Sequence, residues 1–164
     1  MSNSERRDFL ASLKHGIDAS AIRENNLNII FETLINVKED IEKFSEKKIS
    51  LKWRDSQRHT MLKAAALAST FDPSLSVLQK PTSQVIYIFS TINETLREDL
   101  TVLELGTEGF PCSVTIDGNR FTSADIESFQ DSLDQLLSSP STGEKIKKLL
   151  KFDPDHITSL DSPE

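Results

Sequence analysis

Apolar residues at Leu27, Ile30, Leu34, Val37, Ile41 and Phe44 recur at alternating steps of three and four. Such spacing keeps them on one face of an α-helix, because side chains three and four positions apart lie one above the other. It predicts a helix from near Asp18 or Ser20 to about Glu46, and whatever fold the chain adopts must cover that face. A core or bundle is one covering; a second copy of the chain is the other. In a parallel coiled coil the flanking positions would set Thr33 against Lys38 and Asp40 against Ser45, which are not ion pairs. Ile29, Phe31 and Ile35 also widen the apolar face beyond a coiled-coil seam. The core reading therefore leads, with self-association into a homodimer through the long helix as the alternative.

The rest of the chain supplies the elements to pack against it. Ahead of the helix, Ser4 offers an N-cap, Glu5 and Asp8 acids for a first turn, and Phe9, Leu10 and Leu13 an apolar face, so a short helix is expected to end at Gly16. After it, Ile49, Leu51 and Trp53 alternate with Ser50, Lys52 and Arg54 as an edge strand would, with a helix continuation as the competing reading. An alanine-rich helix follows from about Ser56 to Ser69, then a connector from Phe71 to Ser83 marked by Asp72-Pro73 and Lys80-Pro81. Gln84 to Thr91 reads as a largely buried strand, Leu100 to Leu105 as a second, and Ser113 to Asp117 as a third. Gly106 and Gly109-Phe110-Pro111 read as the loop between the last two. Asp117-Gly118-Asn119 is the strongest hairpin signal, because a tight turn needs positive φ, and Arg120 to Thr122 would be the short return strand. Thr122 or Ser123 should cap a helix carrying Ile126, Phe129, Leu133, Leu136 and Leu137 in one stripe, and Ser139-Pro140 should start a last helix through Ile146, Leu149 and Leu150. The expected fold is α+β: N-terminal helices including one long one, a small mainly antiparallel sheet of three to four strands, and C-terminal helices.

A chain of 164 residues with 37 % apolar content fits one domain, here residues 1–152, followed by a polar, proline-containing tail over 153–164 expected to be flexible. The lone Cys112 excludes an internal disulfide framework. The opening MSNSERRDFLASL lacks the apolar core of a secretory signal, so cytoplasmic residence is expected. No apolar run approaches the roughly 20 residues of a membrane span.

Chemical motifs are scarce. His15, His59 and His156 have no metal-ligand spacing with one another, and Asp117-Gly118-Asn119 fails as a calcium loop, with Thr122 where a glycine and Ser128 where a glutamate would stand. No nucleophile elbow, glycine-rich phosphate loop or zincin motif occurs, and no family signature is matched; no catalytic, metal or cofactor residue is assigned. Cys112 reads as a small buried hydrophobe. A scattered carboxylate site, with Glu104 and Asp117 meeting Lys52 or Arg120, is the one enzymatic arrangement left open.

Charge is the clearest functional pointer. The net charge is -7, yet Lys47, Lys48, Lys52, Arg54, Arg58 and Lys63 cluster against the single acid Asp55, while the stretch from Asn93 to Asp134 is dominated by acids. The leading expectation is a non-enzymatic protein-binding module, such as an inhibitor, immunity-type protein, chaperone or assembly factor. It would use Asp125, Glu127, Asp131 and Asp134 against a partner with a basic surface. The alternative is a nucleic-acid-associated protein using the basic segment 47–63, with Lys48, Lys52, Arg54 and Arg58 on the phosphates and Trp53 as a stacking residue. Nucleic acid is disfavoured by the net charge, and by Trp53 sharing the phase of Ile49 and Leu51.

Overall fold

The structure, a computed structural model, describes residues 8–56 and 83–152. A 35-residue helix, α1 (Leu10–Phe44), precedes strands β1 (Ile49–Asp55), β2 (Ser83–Ser90), β3 (Arg97–Gly106), β4 (Gly109–Ile116) and β5 (Asn119–Ser123), and two helices close the order, α2 (Ile126–Ser138) and α3 (Pro140–Leu150). The fold is α+β. Among the described residues the sheet has five strands rather than three to four, in the order β1-β2-β3-β4-β5 with every pairing antiparallel. The expected helix from Ser56 to Ser69, the connector to Ser83 and the tail over 153–164 lie outside the described residues, apart from Ser56 and Ser83 themselves. Among the described residues no helix is long and apolar enough to cross a membrane.

The seam of α1 is core. Leu27, Ile30, Leu34 and Ile41 are buried with Ile49, Leu51, Ile86, Ile88, Leu103, Cys112 and Val114 of the sheet and Phe129, Leu133, Leu136 and Leu149 of the later helices. Alternate residues of each strand thus face the helices, while Val85, Tyr87 and Phe89 of β2 belong to the other face. The chain's own sheet covers these four seam residues. Two residues depart from the expectation: Val37 is only partly buried, and Phe44, at the seam's end, is 73 % exposed because the chain turns away beside it. That turn runs through Glu46 (φ 52°) and Lys47 (φ 65°), both left-handed without being glycine, and is held by the Lys47 amide on the Glu42 carbonyl (2.6 Å) and the Ile49 amide on Ser45 Oγ (3.0 Å). The Lys47 bond closes the helix in the manner of a Schellman cap.

Other departures have local causes. Gly16 does not end a first helix; α1 runs through it, since a residue of poor propensity weakens a helix without breaking it. β3 starts at Arg97 and β4 at Gly109, so the expected Gly109-Phe110-Pro111 loop is strand, with Gly109 paired to Gly106 across a shift in register. A bulge opposite Ile86 and Tyr87 leaves Leu100 unpaired and turns it into the core. Beyond Leu103↔Val114 the β3–β4 ladder gives way to the Thr101 hydroxyl, which donates to the Thr115 carbonyl (2.8 Å) and accepts from its amide (2.9 Å). The Asp117-Gly118 hairpin is as expected, with φ of 49° and 81° at its two central residues.

α1 is fastened to the far end of the sheet through the β3–β4 hairpin. The Arg23 guanidinium donates to the Thr107 carbonyl and Asn26 Nδ2 to the Glu108 carbonyl (2.8 Å). Gly109, at φ 90°, has room for no side chain here: a Cβ would stand 2.9 Å from that of Asn26.

Candidate functional site

The acidic candidates are arranged by α2. Its N-cap is Asp125, not Thr122 or Ser123, because β5 continues to Ser123 through pairing with Cys112. Asp125 Oδ1 accepts the Ser128 amide (2.9 Å) and hydroxyl (2.7 Å), and Ser128 Oγ accepts the Asp125 amide in return (3.2 Å), a reciprocal capping box. The Ser128 amide, and after it the Ser128 hydroxyl, hold the Asp125 carboxyl below the usual aspartate range, so it stays ionised. Phe129, Ser132, Leu133 and Leu136 bury one stripe of the helix, and Ser132 is tied to Ser123 by a hydroxyl pair (3.0 Å). Glu127, Asp131 and Asp134, at steps of four and three, are left together on the opposite, exposed side.

Among the described residues no cation lies within ion-pair distance of these three carboxylates; the described ion pairs all involve other acids. Three of the four acidic candidates therefore form one stripe, while Asp125 is committed to its helix. Asp125 does stand at the rim of a groove of about 510 Å³ lined by Asn26, Ile29, Glu108, Phe110, Pro111 and Ile126 among others. That groove was not expected from the sequence. It exists because the hairpin is pulled onto α1 by Arg23 and Asn26, a juxtaposition of segments more than eighty residues apart.

The basic candidates are placed differently. Lys52 lies 3.4 Å from Glu94 and Arg54 lies 3.2 Å from Asp99, on the sheet face opposite the helices. Lys52 also sits over the Phe89 ring (4.5 Å), and Arg54 and Arg97 over Tyr87 (5.9 and 5.8 Å). The charges of Lys52 and Arg54 are answered by carboxylates and by aromatic faces, which suits a solvated sheet face better than a phosphate track. Lys48 is exposed at the α1–β1 turn, and Arg58 lies outside the described residues. Trp53 packs against Phe31 with ring centroids 5.5 Å apart, on the core side.

The scattered carboxylate arrangement is not assembled. Glu104 pairs with Arg120 (2.8 Å), whose Nε donates to Ser113 Oγ (3.0 Å), but Asp117 occupies the hairpin turn and Lys52 faces Glu94. Among the described residues no group of three histidine, cysteine or acidic side chains converges as a metal site would require. Cys112 is free and 1 % exposed; burial pushes its thiol up to about 12, against the weaker opposing effect of a backbone hydrogen bond, so it is a poor nucleophile at neutral pH. Compared with known proteins, the chain matches no family model, no curated protein and no solved structure.

Proposed function

We propose that this chain is a non-enzymatic protein-binding module whose α2 face receives a basic surface of its partner. One observation carries the reading: Glu127, Asp131 and Asp134 stand on one exposed stripe of a helix whose other stripe is locked to the sheet, with no neutralising cation among the described residues. On the sheet, by contrast, Glu94, Asp99 and Glu104 each stand in an ion pair. Unpaired acids on a rigid helix speed and orient the approach of a cationic protein, because the long-range field acts before contact and little side-chain order is lost on docking. The pairing of Lys52 and Arg54 supports protein over nucleic acid as the partner.

The test is capture of partners from native lysate by the immobilised chain, beside a variant with Asp131→Lys and Asp134→Lys, followed by association kinetics at several ionic strengths. The doubly reversed chain should keep its fold, since exposed charges contribute little to stability, and should lose the captured partner. Its association rate should fall about tenfold at low salt, with the gap closing as salt rises. Equal capture and equal rates for the two chains would remove α2 as the binding face.

A further inference from the structure

The first half of α1 stands clear of the body. Every residue from Asp8 to Asp18 is exposed, and Ala19 alone is half-buried before Arg23, where the helix meets the hairpin. Leu10 to Ile22 thus extends about 20 Å as unpacked helix. Phe9, Leu10, Leu13 and Ile17 are 61, 73, 65 and 71 % exposed, and the last three recur at steps of three and four along one side. Local support for a free helix is small: Asp8 Oδ1 accepts the Leu10 amide (2.9 Å), but Phe9 at the N-cap makes no side-chain bond and the first turn holds no acid. Gly16 sits in its interior, where an added Cβ would meet nothing within 4 Å. Helical segments of this length draw their stability mainly from packing an apolar face, and no described element packs on this face.

We infer that this segment pairs, antiparallel, with the same segment of a second copy of the chain, crossing near Gly16. Three observations favour a second copy as the occupant. The first is area: at roughly 110 Å² apiece the four apolar side chains expose about 450 Å² per copy, so two copies approach the roughly 1,000 Å² at which specific interfaces begin before any flanking atom is counted. The second is charge. From Asp8 to Glu24 the ionised residues are Asp8, Lys14, Asp18, Arg23 and Glu24, a net of -1 in a chain of -7, so two acidic molecules meet here with little repulsion. The third is register. Antiparallel helices crossing between His15 and Gly16 set Leu13 beside Ile17 of the second copy and Lys14 beside Asp18 of the second copy, and the arrangement repeats under the two-fold axis as an isologous contact must. Parallel pairing would set Lys14 against Lys14 and Asp18 against Asp18. Gly16 at the crossing, where an added Cβ would meet nothing within 4 Å, lets the two backbones approach. The acidic face of α2 plays no part in this pairing.

Sedimentation velocity on the full chain over a concentration series tests it. The wild-type chain should sediment with twice the chain mass at high concentration. Leu13→Glu and Ile17→Lys, each at an exposed position, should keep the circular dichroism spectrum and denaturation midpoint of the folded domain while weakening the dimer at least about tenfold. Mixing the two variants should restore a dimer, since antiparallel register brings the new glutamate beside the new lysine. A wild-type chain that stays monomeric throughout, or a dimer indifferent to both substitutions, overturns the proposal. If both variants are monomeric and their mixture stays so, antiparallel pairing is overturned.

Discussion

Leu34 and Ile35 are neighbours in sequence but point about 100° apart around α1, and their exposures are 0 % and 43 %. That contrast makes them a test of how α1 is seated. Leu34→Ala removes three carbons from a site without solvent, about 2.4 kcal/mol at roughly 0.8 kcal/mol per carbon. The cavity left behind adds to this, for a total of about 2.5–5 kcal/mol. Leu34→Asp adds the burial of a carboxylate with no partner and should cost more than about 5 kcal/mol, comparable with the entire stability of an ordinary domain, so the variant should be unfolded or nearly so at 25 °C. Ile35→Asp keeps its charge in water and gives up only part of a half-exposed side chain, about 1 kcal/mol. Guanidinium unfolding followed by far-ultraviolet circular dichroism reads all three. Leu34→Ala within about 1 kcal/mol of wild type, or Ile35→Asp as damaging as Leu34→Asp, would mean that the buried stripe of α1 has been assigned to the wrong side.

Two further predictions concern backbone and charge. Lys47→Gly should raise stability by about 0.5–1 kcal/mol, because a left-handed φ of 65° costs lysine more than glycine while the bond from its amide to Glu42 is retained; a lower denaturation midpoint would show that the lysine side chain matters more than its backbone. Asp125→Asn keeps a capping side chain but removes its charge, and because the folded-state pKa of Asp125 lies below its unfolded value, the advantage of the wild-type residue should be full above the ordinary aspartate range and vanish as pH falls through the folded value; melting temperatures of the two chains that differ equally at acid and neutral pH would contradict this.

Features set by neighbours along the chain were legible in the residues themselves. The seam of α1, the alternation of Ile49, Leu51 and Trp53, and the Asp117-Gly118 turn each depend on a helix period, a strand period or one tight turn, all local. Features set by contacts remote in sequence were not. Arg97 to Asp99 look like loop until β2 offers them partners, and continuation of β5 to Ser123 by pairing with Cys112 moves the α2 cap to Asp125. The same division runs through the site. Periodicity alone sends Glu127, Asp131 and Asp134 away from Phe129 and Leu133. Neither the neutralisation of Arg54 by Asp99 nor the groove beside Asn26 could be foreseen, since the first needs the β1-β2-β3 register and the second the docking of a hairpin on a helix.

The two halves of α1 obey opposite constraints although their sequence pattern is similar. Leu27, Ile30, Leu34 and Ile41 are buried by the sheet, whereas Leu10, Leu13 and Ile17 continue the helix past the described elements that pack on it. The changeover falls at Arg23 and Asn26, which hold the hairpin carbonyls at Thr107 and Glu108 and so fix the direction in which the free half leaves. A free segment that is rigidly aimed loses less freedom on pairing than a loose tail would, which lowers the entropic cost of joining two copies. The α2 acids lie on a different helix, anchored by their own capping box and by Phe129, Leu133 and Leu136. Leu13→Glu should therefore change mass without changing capture of a basic partner, and reversal of Asp131 and Asp134 should change capture without changing mass. A variant that moved both together would mean that the partner spans the groove between α1 and α2, where Asn26, Ile29 and Asp125 already share one surface.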